Sequence, residues 1–319
     1  MPHFLGIDGG GTRTTAWLAD EAGRVLGRGV SGASNPLKVG FKAAERELLR
    51  AARDAVAAFS ERRKTATVRD LRHRTVTPIE AVVVGLAGTD RPPVHNRLAR
   101  WLQRAIPARH HLLTSDAHIA LRAAVGNSPG IIVVSGTGSI AYGRDDKGRV
   151  LRSGGWGTLF DDAGSGYDLG RKAITAALRD LDGRGPRTQL TKKISDALDL
   201  GDITQIILRP LTPQQIAGLF PLVLEAARRH DFVAQQLCDE AGRDLADLAL
   251  ALLRRMGRER QVVPVVFAGG VFRAGVRVAR SFKTHLRKHA PSARVLLLRH
   301  PPVEGALALA HELADLRKA

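Results

Sequence analysis

Hydrophobic positions along the chain come in short continuous runs that stop at glycine and in longer stretches where apolar residues recur at helical spacing. Phe4 to Ile7 is an apolar run that stops at Asp8 and three glycines, and Thr15 to Ala19 is the next. This predicts a buried strand, a tight turn and a returning strand. The run "ADEAGRVLGRG" predicts a further turn and a third strand. Phe41, Ala44, Leu48, Ala52, Ala55 and Phe59 lie on one helical face, and "EAVVVGLAG" reads as a buried strand ending in glycine. Val94 to Ala105 reads as a helix, "HHLLTSD" as a strand and Ala117 to Val125 as a helix. Strands alternating with helices indicate an α/β fold.

The opening pattern returns at long range. "IIVVSGTGSIAYGRDDKGRVLRSG" again has an apolar strand, a glycine turn, a short strand, an acidic turn and "GRVL" before glycine. The repeat is too widely spaced for a solenoid and predicts two domains of related design. Helical segments are expected near Ala163 to Leu181, Thr212 to His230 and Asp231 to Met256. "VVPVVFAGGVFRAG" then supplies a strand, two glycines and a helix start, "ARVLLLRH" a strand, and Pro302 to Arg317 a helix. The stripe "LADLALALL" is core packing. The charged stretch "SERRKTATVRDLRHRTVTP" reads as an exposed linker with a solvated basic face.

Composition narrows the classes. At 319 residues the chain is long enough for two cores. One cysteine, Cys238, gives no disulfide framework, Cys-ligated zinc or intrachain iron-sulfur cluster, and reads as a small core residue. No run approaches the ~18 apolar residues of a membrane span, so no membrane association is expected and the cytoplasm is the natural compartment. The net charge of +18 is spread along the chain, and aromatics that could stack on bases are only 4% of residues, which argues against nucleic acid. The positive field would still draw in small anions such as nucleotides.

A glycine turn after a strand exposes backbone N–H groups and admits close approach, which suits phosphate. Thr12 and Thr137 add hydroxyl donors. Asp8 would repel phosphate unless a hydrated cation stood between them, so a magnesium-nucleotide is implied. A P-loop and a dinucleotide fingerprint are both absent. Any one of these turns could equally be a hairpin needing glycine for its own geometry; "DGGGT", "SGTGS" and "FAGGVF" in this order point to phosphate.

"IDGGGTRT", "GLAGTD", "LTSDAHIAL", "VVSGTGSIAYG", "GGWGTLFDDAGSGYDLGR" and "FAGGVF" together resemble the N-acetylglucosamine kinase and BadF/BadG/BcrA/BcrD ATPase family, within the actin/Hsp70/sugar-kinase superfamily. The resemblance implies two ribonuclease H-like domains of the actin-like ATPase fold with an interdomain nucleotide cleft. It places residues 1–115 with 302–319 in the first domain and 116–301, with a helical insertion, in the second. It implies ATP and Mg²⁺, with Asp8 holding the hydrated metal and Gly9, Gly10, Gly11, Thr12, Gly136, Thr137, Gly138, Gly269 and Gly270 around the nucleotide. Asp116 matches the base that takes the sugar hydroxyl proton. Asn35, Gly154, Gly155, Trp156 and Asp162 match sugar-binding positions. The implied function is an ATP-dependent kinase for the 6-hydroxyl of an amino sugar, N-acetylglucosamine first and glucosamine second, and the resemblance suggests a homodimer.

Blander readings stand beside these. Asp116 could be a plain helix N-cap, Asn35 a turn residue before Pro36, and Trp156 a buried anchor. The chain reads "DDAGS" where the family commonly has "GDEGS", so Ala163 stands for a carboxylate and the preferred sugar is open. Asp168 stands where relatives often carry an aromatic residue, and reads as solvent-facing. His110, His111 and His118 lack a matching carboxylate or a tetrahedral set, and read as surface or packing residues. An ATPase activator of the BadF type needs cysteine ligands that one cysteine does not provide, and a binding protein that has lost turnover would bind sugar and ATP without releasing ADP.

Overall fold

The apolar runs become two five-stranded sheets, one in each of the compact units into which the computed structural model divides, Met1–Asn127 with Arg299–Ala319 and Ser128–Leu298. The structure describes residues 1–63, 78–89 and 91–316, with side chains described for all of these but 60–63. The expected linker at 60–78 therefore lies almost wholly outside the described residues, and Asp90 of "GLAGTD" lies outside them too.

In the first unit β1 (His3–Gly9) is buried along nearly its whole length because it is central, pairing antiparallel with β2 (Thr14–Asp20) and parallel with β4 (Ile79–Leu86). With β3 (Val25–Ser31) and β5 (His110–Thr114) the sheet order is β3-β2-β1-β4-β5. The helices are α1 (Pro36–Val39), α2 (Phe41–Arg63), α3 (Pro92–Ala105) and α4 (Asp116–Val125). Leu48, Ala51, Ala52 and Ala55 of α2 and Leu98 and Leu102 of α3 form one core with Leu5, Ile7, Val82 and Val84.

The second unit repeats the plan. β6 (Gly130–Ser135), β7 (Ser139–Arg144) and β8 (Val150–Gly154) run antiparallel. After α5 (Gly166–Leu181), α6 (Leu190–Ala197), a 3₁₀ turn at Ile203–Leu208, α7 (Pro213–Ala217), α8 (Phe220–Arg228) and α9 (Phe232–Arg255), strand β9 (Pro264–Ala268) pairs parallel with β6. α10 (Gly270–Ala274) and α11 (Val276–His289) lead to β10 (Arg294–Leu297). The order β10-β9-β6-β7-β8 is that of the first sheet, strand for strand.

α12 (Pro302–Asp315) closes the first unit, its Ala306, Leu307 and Ala310 packing on Phe4, Ala81, Val83 and Ile119. This contact moves the expected boundary. A Cβ at Gly305 would stand 1.9 Å from the Ile119 carbonyl oxygen, so α12 lies directly on α4 and the chain leaves the unit after Asn127 rather than at 115/116. The expected helix at Thr212 to His230 is two, broken at Gly218 and Leu219, while α6 carried too short an apolar pattern to read.

Candidate active site

Parallel strands β1, β4 and β5 end side by side, and their carboxyl ends carry "DGGGT", "GLAGT" and "TSD", the place where open α/β sheets collect ligands. The first turn is closed by Gly10 N–H donating to Arg13 O at 3.0 Å. The Gly10 carbonyl in turn accepts from the N–H groups of Ser34 (3.0 Å) and Asn35 (3.2 Å), and Gly9 O accepts from Ala87 N at 3.0 Å. Thr14 Oγ1, buried, bonds Gly32 O and Ser34 Oγ, each at 2.7 Å. A Cβ at Gly9 would meet Leu86 Cδ1 at 2.4 Å and Ser34 Oγ at 2.6 Å, so only glycine lets the three segments converge.

Asp8 and Asp116 share the electrostatics of this edge. Burial, then the Asp116 charge, push the Asp8 carboxyl from 3.8 up to about 7, with Arg13 opposing. Asp116 is not the cap of α4. Ser115 is, its Oγ accepting the His118 N–H at 3.1 Å, and Asp116 occupies the first helical position with Oδ1 accepting from Ala117 N at 2.9 Å. Thr89, which sequence reasoning passed over, holds this end together: its Oγ1 donates to Leu86 O (2.7 Å) or Thr114 O (3.1 Å). Asn35 does cap α1, Oδ1 accepting from Leu37 N at 3.0 Å, and a Cβ at Gly88 would stand 3.1 Å from that same oxygen.

A divalent cation suits this edge. Two carboxylates that raise each other's energy are relieved by a positive charge, and one carboxylate acting through water is the sparse donor set magnesium accepts. No group of three or more His, Cys, Asp or Glu that could hold a metal ion occurs among the described residues, so any metal here would lean on water and phosphate.

In the second unit the other two turns meet. Gly136 N–H donates to Gly138 O at 2.9 Å, and the Gly136 and Thr137 carbonyls accept from Gly166 N (2.8 Å) and Tyr167 N (3.1 Å) at the start of α5. Gly269, at φ 104°, lies so close to Ser135 that an added Cβ would stand 2.0 Å from its carbonyl oxygen. Positions 136 and 270 open onto free space.

Asp162 is 6% exposed, at φ 66°, and its Oδ1 accepts the Ser139 N–H at 3.1 Å, so one carboxylate oxygen is tied to the glycine turn. Burial raises its pKa, opposed by that bond and reinforced by Asp161 and Asp168. Asp168 corrects the solvent-facing reading: it is 6% exposed and holds the "DDAGS" loop, Oδ2 accepting from Gly164 N at 3.1 Å and both oxygens pairing with Arg171 and Lys172. Such a network needs a carboxylate there, not an aromatic ring. Trp156 is no buried anchor, since it is 68% exposed with the Arg152 guanidinium 4.1 Å above its ring. Gly154, Gly155 and Gly157 around it all take positive φ, and Asp161 Oδ2 accepts the Trp156 N–H at 3.3 Å.

The histidines have other work: His111 Nε2 lies 2.8 Å from Ile106 O and His118 Nδ1 2.8 Å from Thr114 Oγ1, while His110 sits 3.9 Å from Glu80. Cys238 is a buried α9 core residue whose thiol is pushed up to about 12 by burial. Among the described residues, no helix is long and apolar enough to cross a membrane.

Known proteins are similar to this chain over nearly its whole length. The chain is 30% identical over 319 residues to the N-acetylmuramic acid/N-acetylglucosamine kinase of Clostridium acetobutylicum, covering 99% of this chain and 100% of that one. It is 30% identical over 316 residues to the N-acetyl-D-glucosamine kinase of Dictyostelium discoideum, covering 96% and 97%. A solved Chromobacterium violaceum protein, described as a candidate N-acetylglucosamine kinase, superposes with a TM-score of 0.76 at 30% identity, over 97% of this chain and 99% of its own. Residues 5–310 match the BadF/BadG/BcrA/BcrD ATPase family, and the chain belongs to it.

Proposed function

We propose that the protein transfers the terminal phosphoryl group of ATP to the 6-hydroxyl of an amino sugar, N-acetylglucosamine first and glucosamine second. The observation that carries this reading is Asp116: a carboxylate at the end of β5, relieved of capping by Ser115 and close enough to Asp8 to raise its pKa. The kinase names of the relatives support it.

In this reading the sugar oxygen attacks the terminal phosphorus, the O–P bond to the sugar forms, the bond to the ADP oxygen breaks, and the hydroxyl proton passes to Asp116. The glycine turns at Gly9–Gly11 and Gly136–Gly138, with Thr12 and Thr137, would receive the phosphates, through donors other than the Gly10 and Gly136 N–H groups that close the turns themselves. Asp8 would hold magnesium through water, and that ion would supply neutralisation of phosphate charge. Asn35, Gly154, Gly155, Trp156 and Asp162 would orient the sugar, Asn35 through its amide N–H₂ because its oxygen serves α1. The cytoplasm, where ATP is made available, fits this reaction.

The test is ADP release from magnesium-ATP with N-acetylglucosamine, glucosamine, N-acetylmannosamine, N-acetylmuramic acid, glucose or no sugar. Release that depends on an amino sugar supports the kinase. Release without sugar supports an ATPase, and binding of sugar and ATP with no release supports a binding protein.

A further inference from the structure

Lys38 lies on the first glycine turn without a role in the account above. The side chain runs flat against Gly11, where an ideal Cβ would stand 2.9 Å from its Nζ and 3.3 Å from Cδ and Cε. It is held there from behind. α1 is capped by Asn35, whose N–H and that of Ser34 both donate to Gly10 O, and Lys38 N donates to Asn35 O at 2.9 Å. Lys38 is exposed, and no carboxylate pairs with it among the described residues. An ammonium group laid against the first glycine turn at Gly11, with no carboxylate of its own among the described residues, has the makings of an anion contact.

From this geometry we infer that Lys38 is a phosphoryl-contacting catalytic residue, which binds the oxygens of the group in transfer as it leaves ADP. The inference rests on the kinase reading and adds a residue to it. Charge on those oxygens shifts during transfer, and a fixed cation favours that shift without entering a covalent step. Gly11 is then glycine for a second reason: a methyl group there would push the ammonium off the turn.

The test compares Lys38→Met, Lys38→Arg and Gly11→Ala with wild type in steady-state kinetics, together with their thermal midpoints. Lys38→Met should lower kcat about 100-fold with the sugar KM and the midpoint unchanged. Lys38→Arg should recover at least about tenfold of that, and Gly11→Ala should repeat the kcat loss in a folded protein. A Lys38→Met kcat within about threefold of wild type, or a loss that arginine does not restore, overturns the inference and leaves the kinase reading standing. Wild-type protein with no sugar-dependent turnover removes both.

Discussion

Asp8 sits in a conflict that its position creates. Folded, its carboxyl holds a proton up to about pH 7, against 3.8 for an ordinary aspartate, because it is buried and Asp116 stands near. Between those two values the folded state binds more protons than the unfolded, so the Asp8 contribution to stability falls as pH rises from about 4 to about 7. Asp8→Asn should therefore unfold later than wild type at pH 8, by about 1–3 kcal/mol in denaturant titration, while losing sugar-dependent turnover. In the wild type, kcat/KM for magnesium-ATP should rise with pH through about 7, as the free enzyme's Asp8 ionises; a profile flat from pH 6 to 8 would contradict the assignment. Asp8 and Asp116 were both legible as residues, since each ends an apolar run. That Ser115 rather than Asp116 caps α4 was not, because Ser and Asp are equally good caps and only geometry chooses between them.

Turns and strand ends carry the next layer. The glycine turns could be read from the sequence because glycine is the residue that tolerates such close approach, and the structure gives the reason at Gly9 and Gly269. The bonds that fix those turns could not be read. Thr14 reaches Ser34 across 20 residues, Thr89 reaches Thr114 across 25, and Ser139 reaches Asp162 across 23, separations set by the fold and not by any local pattern. Thr89→Val removes the hydroxyl that lies between the Leu86 and Thr114 carbonyls. It should cost about 1–2 kcal/mol in chemical denaturation and lower kcat, since Asp116 follows Thr114 by two residues. Gly269→Ala places a methyl group against Ser135 at a φ that alanine rarely takes, and should destabilise by about 2–4 kcal/mol.

At the level of the whole chain, the repeat of strand, glycine turn and "GRVL" predicts two domains of related design, and the two sheets share one strand order, which the repeat alone did not give. The boundary was displaced because the contact of α12 with α4 joins residues far apart in sequence, at a glycine with no local turn signal. The charge of +18 gives the whole molecule a measurable property. Salt should raise the KM for ATP several-fold between about 20 and 300 mM while leaving that for an uncharged sugar unchanged, because screening acts on the anionic partner alone. The measurement that bears most directly on the kinase reading is product analysis, by mass spectrometry and phosphorus NMR, of N-acetylglucosamine incubated with magnesium-ATP and either wild type or Asp116→Asn. The account predicts a phosphate on the 6-oxygen with wild type, and formation slowed by about 100-fold or more with Asp116→Asn at an unchanged thermal midpoint. Equal yields from the two proteins, or phosphate released only as the inorganic ion, would contradict it.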